Sequence, residues 1–245
     1  KTTFKNYLSP ELIDKMLEDK QMPNLGGEEG MLTAYFTDIA GFSTFSEALG
    51  SPTKLVELLN EYLSAMTDIL LEHGGTLDKY EGDAIIAFFG APAALENNPR
   101  SSCLAAIHMQ YKLLELREKW VSEGEKWPEL VHVMRMRIGV NYGKILTGNM
   151  GSEVRMNYTM MGDPVNLAAR LESAAKQYGC YTFCSLITLE VAGDDFLYRK
   201  VDRLRVMGKT EPVIVCELFG LKKDVDASLV TLVSSFEEAW EFYEN

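Results

Sequence analysis

The feature that most constrains the fold is that strand-like and helix-like hydrophobic patterns alternate along the chain. Residues 31–37 form a mostly apolar run typical of a central strand, preceded by a loop at Gly26 and Gly27. Residues 55–70 repeat apolar side chains at helical spacing. Further strands are predicted near 134–140, 145–147, 156–161, 196–206 and 213–218, with a hairpin over 76–89 and helices from 98, 163 and 226. Together these patterns predict a mixed α/β sheet with helices packed on it.

The charge balance excludes several classes of function. The 245 residues contain 24 Lys and Arg against 36 Asp and Glu, which gives a formal net charge of -12. A protein that binds duplex nucleic acid needs a dense basic surface, so we expect no nucleic-acid partner. Attraction to an anionic membrane is disfavoured for the same reason. The chain also lacks an apolar run of about 18 residues, so we expect no direct membrane insertion of this fragment.

The cysteines and the first residue bear on the cellular setting. The four cysteines form neither a CxxC pair nor a zinc pattern, so we interpret them as free buried thiols of a reducing, cytoplasmic compartment. Because the chain begins at Lys1 rather than Met, we expect it to be a fragment of a longer protein. An upstream sensor domain, or a membrane anchor, could precede it.

Two aspartates are candidates for binding a metal ion. Asp38 ends the first predicted strand, and Asp83 follows the tight turn at Gly82. Taken singly, each is better explained by structure, Asp38 as a helix cap and Asp83 as a turn residue. Two carboxylates held on neighbouring strands form a plausible two-metal site for phosphoryl transfer.

A second candidate pair lies on the predicted helix that begins near residue 163. Asn166 and Arg170 are four residues apart and therefore share one face of that helix. A fixed amide and guanidinium that point the same way suit the stabilisation of a charged transition state. From spacing alone, an ordinary solvated pair remains the favoured interpretation.

Several segments, taken in order, resemble the class III nucleotidyl cyclases. They are FTDIAGFS at 36–43, KYEGDA at 79–84, RIGVNYG at 137–143, YTMMGDPVNLAARLE at 158–172 and GKTEP at 208–212. One such motif would be weak, whereas the ordered set over about residues 30–220 is specific. The resemblance implies a ferredoxin-like mixed sheet flanked by helices, and conversion of a nucleoside triphosphate into a 3′,5′-cyclic monophosphate and pyrophosphate. It also implies a head-to-tail homodimer whose active sites lie at the interface.

The resemblance assigns roles to individual residues. Asp38 and Asp83, helped by the carbonyl of Ile39, would hold two divalent metal ions, Mg²⁺ or Mn²⁺. The loop that would hold the phosphates comprises Ala40, Gly41, Phe42 and Ser43.

The remaining catalytic roles come from later motifs. Asn166 and Arg170 match the transition-state pair, contributed by the other chain. Arg137 matches a basic residue that contacts the terminal phosphates, and Lys209 would do likewise. The basic residue usual two positions earlier is Met207 here, which departs from the family pattern.

Base choice is predicted from Lys79 and Thr159. The resemblance makes these the two positions that contact the purine. Adenine presents an acceptor at N1 and a donor at N6, whereas guanine presents an acceptor at O6 and donors at N1 and N2. Lys79 can donate to N1, and the hydroxyl of Thr159 can accept from N6. We therefore predict ATP as the substrate and an adenylate cyclase as the enzyme.

The chain is divided into three predicted parts. Residues 1–28 resemble a connector, 29–221 form the cyclase catalytic domain, and 222–245 form a C-terminal helical extension. Alternatives to an adenylate cyclase are a guanylate cyclase with atypical base contacts, a non-catalytic cyclase-homology module that dimerises, and a nucleotide sensor.

Overall fold

The fold is built on one mixed sheet. The computed structural model describes residues 25–152, 154–205 and 212–244, without the side chains of residues 243 and 244. Within these ranges the sheet has eight strands, of which seven run in the order β2-β3-β1-β4-β6-β8-β7, and β5 pairs with β4. The strands are β1 (Gly26–Ile39), β2 (Gly75–Glu81), β3 (Ala84–Phe89), β4 (Met136–Ser152), β5 (Arg155–Met161), β6 (Thr182–Ser185), β7 (Phe196–Leu204) and β8 (Val213–Leu221).

Helices cover both faces of this sheet. They are α1 (Phe42–Leu49), α2 (Pro52–Glu72), α3 (Asn98–Ser122), α4 (Glu129–His132), α5 (Asp163–Tyr178), α6 (Leu186–Ala192) and α7 (Ala227–Glu244). Among the helices of the described ranges, none is long and apolar enough to cross a membrane. Most of the predicted connector, residues 1–24, lies outside the described residues.

The strand order confirms the expected ferredoxin-like core. The chain runs from β1 through α1 and α2 to the β2–β3 hairpin, then through α3 to β4, and these four strands lie in the order β2-β3-β1-β4. Of the strand pairs, β4 with β6 is parallel, whereas β1 with β3, β1 with β4 and β2 with β3 are antiparallel. The mixed α/β prediction is therefore correct.

The predicted separation of two strands near residue 143 is wrong. Residues 136–140 and 145–147 belong to one strand, β4, which pairs with β1 from Gly26 to Ile39, whereas residues 134 and 135 precede it. The same pairing draws Gly26 and Gly27, predicted to be loop residues, into β1. Two glycines of β4, Gly139 and Gly143, lie where α5 approaches the strand. A Cβ on Gly139 would lie 2.3 Å from the carbonyl oxygen of Ala168, so α5 lies directly against the strand there.

The two faces of the sheet carry different cores. Tyr35, Ile85 and Phe89 point into the larger core, which is closed by buried side chains of α2 and α3. On the opposite face, Leu167 and Leu171 of α5 pack with buried side chains of β6 and β8. On that face, side chains of β1 and β3 also pack with Ala168 of α5. The two strands that lead to Asp38 and Asp83 are thus supported from both sides.

Candidate active site

Asp38 and Asp83 are brought together by neighbouring strands. Asp38 is the next-to-last residue of β1, and Asp83 lies in the turn between β2 and β3, directly after Gly82. Gly82 has φ of 64°, a left-handed conformation that glycine adopts readily. Oδ2 of Asp83 accepts a hydrogen bond of 2.6 Å from the backbone N–H of Ile39. Asp83 is therefore bonded to the N–H of the peptide group that links Asp38 to Ile39.

Asp38 also forms an ion pair with Arg137. The register of β1 and β4 places these two residues opposite each other. Nη2 of Arg137 donates to Oδ2 of Asp38 at 2.5 Å, and Nε donates to Oε1 of Glu172 at 3.0 Å. We use the term carboxylate site for Asp38, Asp83, Arg137 and Glu172. The predicted contact of Arg137 with phosphate remains a prediction, since here the guanidinium bridges two carboxylates.

Burial shapes the titration of this site. Burial, and then the hydrogen bond and charge of Glu172, raise the pKa of Asp38 to about 7, which outweighs the opposing effect of Arg137. Burial also raises the pKa of Asp83, against the hydrogen bond from Ile39. Three carboxyl groups therefore share one guanidinium in partly desolvated surroundings. Such a site favours additional positive charge.

The residues present fit a hard divalent cation. Oδ1 of Asp38 is buried and has no hydrogen-bond partner among the described residues. Carboxylate and carbonyl oxygens are the ligands that Mg²⁺ prefers, and Mg²⁺ is commonly held by one or two carboxylates together with substrate phosphates. In the described parts of the chain, no cluster of three or more His, Cys, Asp or Glu side chains has metal-binding geometry. Asp38 and Asp83, together with a backbone carbonyl, are the residues that would hold such an ion.

The predicted phosphate loop joins β1 to α1. Gly41 occupies the N-cap position of α1 with φ of 73°, and no side chain caps this helix. The first N–H groups of a helix lack partners within the helix and suit an anion. The N–H of Ala40, in contrast, already donates to the carbonyl of Arg135 at 2.8 Å. Of the predicted loop, the residues from Gly41 to Ser43 are therefore better placed than Ala40 to offer N–H groups.

Lys79 and Thr159 meet at a third side chain, Asp78. A register shift between Leu77 and Lys79 interrupts the pairing of β2 with β3, and Asp78 lies at this irregularity. Oγ1 of Thr159 donates to Oδ2 of Asp78 at 2.5 Å, and Nζ of Lys79 lies 3.4 Å from Oδ1. The Asp78 side chain is only 2% exposed, whereas that of Lys79 is 43% exposed. We use the term base site for these three residues.

Asn166 and Arg170 lie on the exposed face of α5. Their neighbours Leu167 and Leu171 are buried under the helix. Neither side chain forms a hydrogen bond or ion pair with another described residue, so the pair is not joined to the carboxylate site of its own chain. Lys209 falls in 206–211, outside the described residues.

Sequence reasoning missed two residues of these sites, Asp78 and Glu172. An aspartate within a predicted strand was the available signal for Asp78, since strands are depleted in aspartate. Glu172 lies one residue beyond Leu171 at the end of the family motif, and its role emerges only from the register that places Arg137 beside α5.

The fold is that of a nucleotidyl cyclase catalytic domain. The family model for the adenylate and guanylate cyclase catalytic domain matches residues 27–215. The chain therefore belongs to this family, and its relatives include named adenylate cyclases.

Individual relatives illustrate the range of the family. Adenylate cyclase 1 of Rhizobium meliloti (strain 1021) is 29% identical over 226 residues, which is 92% of this chain and 33% of that protein. The crystal structure of the adenylyl cyclase CyaB from P. aeruginosa has a TM-score of 0.71 and 33% identity, covering 82% of this chain and 100% of that one. The guanylyl cyclase Cya2 has a TM-score of 0.70 and 32% identity, covering 82% and 98%. The chain spans about a third of the length of the curated relatives it matches.

Proposed function

We propose that this chain is the catalytic domain of an adenylate cyclase, which converts ATP into 3′,5′-cyclic AMP and pyrophosphate. The observation that carries the proposal is the hydrogen bond from the N–H of Ile39 to Asp83, which holds Asp83 close to Asp38, the residue before Ile39. The buried and unpartnered Oδ1 of Asp38 adds to it. These oxygens suit two divalent ions, Mg²⁺ or Mn²⁺, with the Ile39 carbonyl as a further ligand.

The reaction requires the ribose 3′-OH to attack the α-phosphorus in line with the departing pyrophosphate. Divalent ions held by Asp38 and Asp83 would lower the pKa of that hydroxyl and neutralise charge on the leaving group. The N–H groups from Gly41 to Ser43 would bind phosphate oxygens at the start of α1. Asn166 and Arg170 would meet the negative charge that develops around the α-phosphoryl group.

We propose that each active site is shared between two copies of the chain in a head-to-tail homodimer. In one chain, Asn166 and Arg170 project from the outer face of α5 and have no bond to Asp38 or Asp83. This separation supports a site in which the carboxylates of one copy meet Asn166 and Arg170 of the other. One consequence is that neither copy alone would be active.

Base preference depends on specific contacts, because overall similarity does not separate the alternatives. The adenylyl cyclase CyaB and the guanylyl cyclase Cya2 resemble this chain to nearly the same degree. Lys79 and Thr159 instead supply a donor for adenine N1 and an acceptor for the N6 amino group. A carboxylate at position 79 would have suited the N1 and N2 donors of guanine. These two side chains favour ATP over GTP.

Product analysis tests the proposal directly. The purified chain would be incubated with ATP or GTP, with Mg²⁺ or Mn²⁺ and with a chelator, and the nucleotides separated by chromatography. We expect cyclic AMP with ATP and divalent metal, less product from GTP, and none under chelation. A folded dimer that binds ATP but forms no cyclic AMP would instead indicate a nucleotide sensor or a non-catalytic dimerisation module. Faster turnover of GTP would indicate a guanylate cyclase.

Mixing two inactive variants tests the shared site. Asp38→Ala and Asn166→Ala each remove one half of both sites in a homodimer. In a mixed dimer, one site keeps both halves intact, so activity should return to a fraction of the original. Absence of any recovery in a verified heterodimer would contradict the shared arrangement.

A further inference from the structure

Asp78 is the most buried charged side chain of the base site. Only 2% of its side chain is exposed, and it reaches both Lys79 on its own strand and Thr159 on β5. Its position at the irregularity between Leu77 and Lys79 releases it from the regular alternation of β2. The side chain can therefore turn inwards while Lys79 next to it remains 43% exposed.

The contact with Thr159 fixes the direction of a hydrogen bond. A carboxylate only accepts hydrogen bonds, whereas a threonine hydroxyl has one proton to donate and lone pairs to accept with. Because Thr159 donates its proton to Oδ2 of Asp78, only its lone pairs remain for another partner. A hydroxyl that could either donate or accept a hydrogen bond can thereby only accept one from a ligand.

The second oxygen of Asp78 acts on Lys79. Nζ of Lys79 lies 3.4 Å from Oδ1, which is an ion pair without a hydrogen bond, because Oδ1 is buried and has no hydrogen-bond partner among the described residues. An ammonium group only donates. The base site thus presents one donor, Lys79, and one acceptor, Thr159, and the acceptor role of Thr159 depends on Asp78.

We propose that Asp78 is a positioning residue that determines adenine specificity, an inference that depends on the base-binding roles proposed above for Lys79 and Thr159. Adenine offers N1 as acceptor and N6 as donor, which complements the ammonium group and the hydroxyl oxygen. Guanine offers the reverse along the same edge, with O6 as acceptor and N1 as donor. Guanine would place its O6 acceptor next to the lone pairs of Thr159 and its N1–H donor next to the ammonium group of Lys79, so neither pair could form a hydrogen bond.

Asp78→Asn separates this role from a merely structural one. The amide has nearly the same shape, but it can donate to Oγ1 of Thr159 and free the hydroxyl proton. The values of kcat/KM would be measured for ATP, GTP and purine riboside triphosphate, which keeps N1 but lacks the 6-amino group. We expect the preference for ATP over each analogue to fall about ten- to a hundredfold, the range for an unmatched buried hydrogen bond.

Two further variants complete the design. Glu81→Gln removes an exposed carboxylate from the same hairpin and should leave both ratios unchanged. Thr159→Val removes the proposed acceptor, so adding Asp78→Asn to it should cause no further loss of the preference for the 6-amino group. If the amide variant does not fold, Asp78→Leu tests the same point, because it also leaves the Thr159 proton uncommitted.

The outcomes distinguish this inference from the proposed function. Equal losses for all three nucleotides, or unchanged ratios in a folded Asp78 variant, would show a structural role and overturn the inference alone. Absence of cyclic product from the unaltered chain would overturn the proposed function together with this inference. A selective loss of ATP preference, absent from Glu81→Gln, would establish Asp78 as the residue that orients the base site.

Discussion

The carboxylate site and the base site each contain a poorly solvated aspartate, but its charge is compensated differently. In the carboxylate site, Asp38, Asp83 and Glu172 share the single guanidinium of Arg137. In the base site, one carboxylate is matched by one ammonium group and one hydroxyl. The first site has an excess of negative charge, and the second is balanced.

Under the proposed function, this difference would allow an acidic protein to bind a polyanion. The net charge of -12 would repel a triphosphate if it were spread evenly. In the proposed mechanism, the excess of acid at the carboxylate site recruits divalent cations, and these attract the triphosphate. The balanced base site needs no ion and contributes hydrogen-bond direction instead. Changes at the two sites should therefore have separable effects on turnover and on base preference.

The largest expected effect follows from Asp38→Asn. Replacing the carboxylate removes a proposed metal ligand, so kcat/KM for ATP should fall more than about 10³-fold. Lys79→Ala at the base site should cost less and should mainly reduce the preference for ATP over GTP. Steady-state rates with both nucleotides would measure the contrast. Asp68→Asn, an exposed aspartate on α2, is the control, and a loss below tenfold in Asp38→Asn would contradict the metal role.

The next largest effect is expected from Arg170→Ala. Loss of one donor to a developing negative charge typically lowers kcat about 10²–10³-fold. The concentration of Mn²⁺ needed for half-maximal activity should change little, because Arg170 would meet the α-phosphoryl group and is not one of the proposed metal ligands. Lys176→Ala changes an exposed basic residue of the same helix and should keep full activity. A shift in Mn²⁺ dependence equal to the loss of rate would count against a transition-state role.

The sequence allowed correct prediction of the sheet class and of the segments that carry the carboxylates. Their hydrophobic patterns are local, and the ordered motifs are specific. Local patterns failed at β4, because Gly143 resembles a turn residue but serves the close approach of Pro164 in α5.

Long-range contacts account for the other omissions. The burial of Asp78 depends on Thr159, 81 residues away, and a polar pair such as Asp78 and Lys79 looks solvated in the sequence. Similarly, the position of Arg137 between two acids depends on the register of β1 and β4. A resemblance transfers residues of known role, but it gives no information on which neighbour orients them.

An intermediate effect is expected from Gly139→Ala, which should disturb the carboxylate site more than the base site. Its Cβ would lie 2.3 Å from the Ala168 carbonyl and 2.4 Å from the N–H of Glu172, so α5 must move. Overpacking of this kind costs about 1–3 kcal/mol of folding free energy. Urea unfolding would measure the loss. Gly30→Ala is a matched control, because its Cβ would meet only the Leu32 side chain at 3.5 Å.

The last expected effect is the pH dependence of stability in the metal-free protein. Burial and Glu172 raise the pKa of Asp38 from its ordinary 3.8 to about 7 in the folded state. Between these two pH values the folded protein holds a proton that the unfolded chain has released. The free energy of unfolding should therefore decrease as the pH rises from about 4 through 7.

Comparison of the unaltered chain with Asp38→Asn isolates this contribution. The amide is neutral at every pH, so the Tm of the variant in chelator should rise relative to that of the unaltered chain between pH 5 and pH 7.5. Mn²⁺ should stabilise the unaltered chain more at pH 7.5 than at pH 5, because it binds the ionised carboxylate. A Tm difference that stays constant across this range would show that Asp38 does not titrate there.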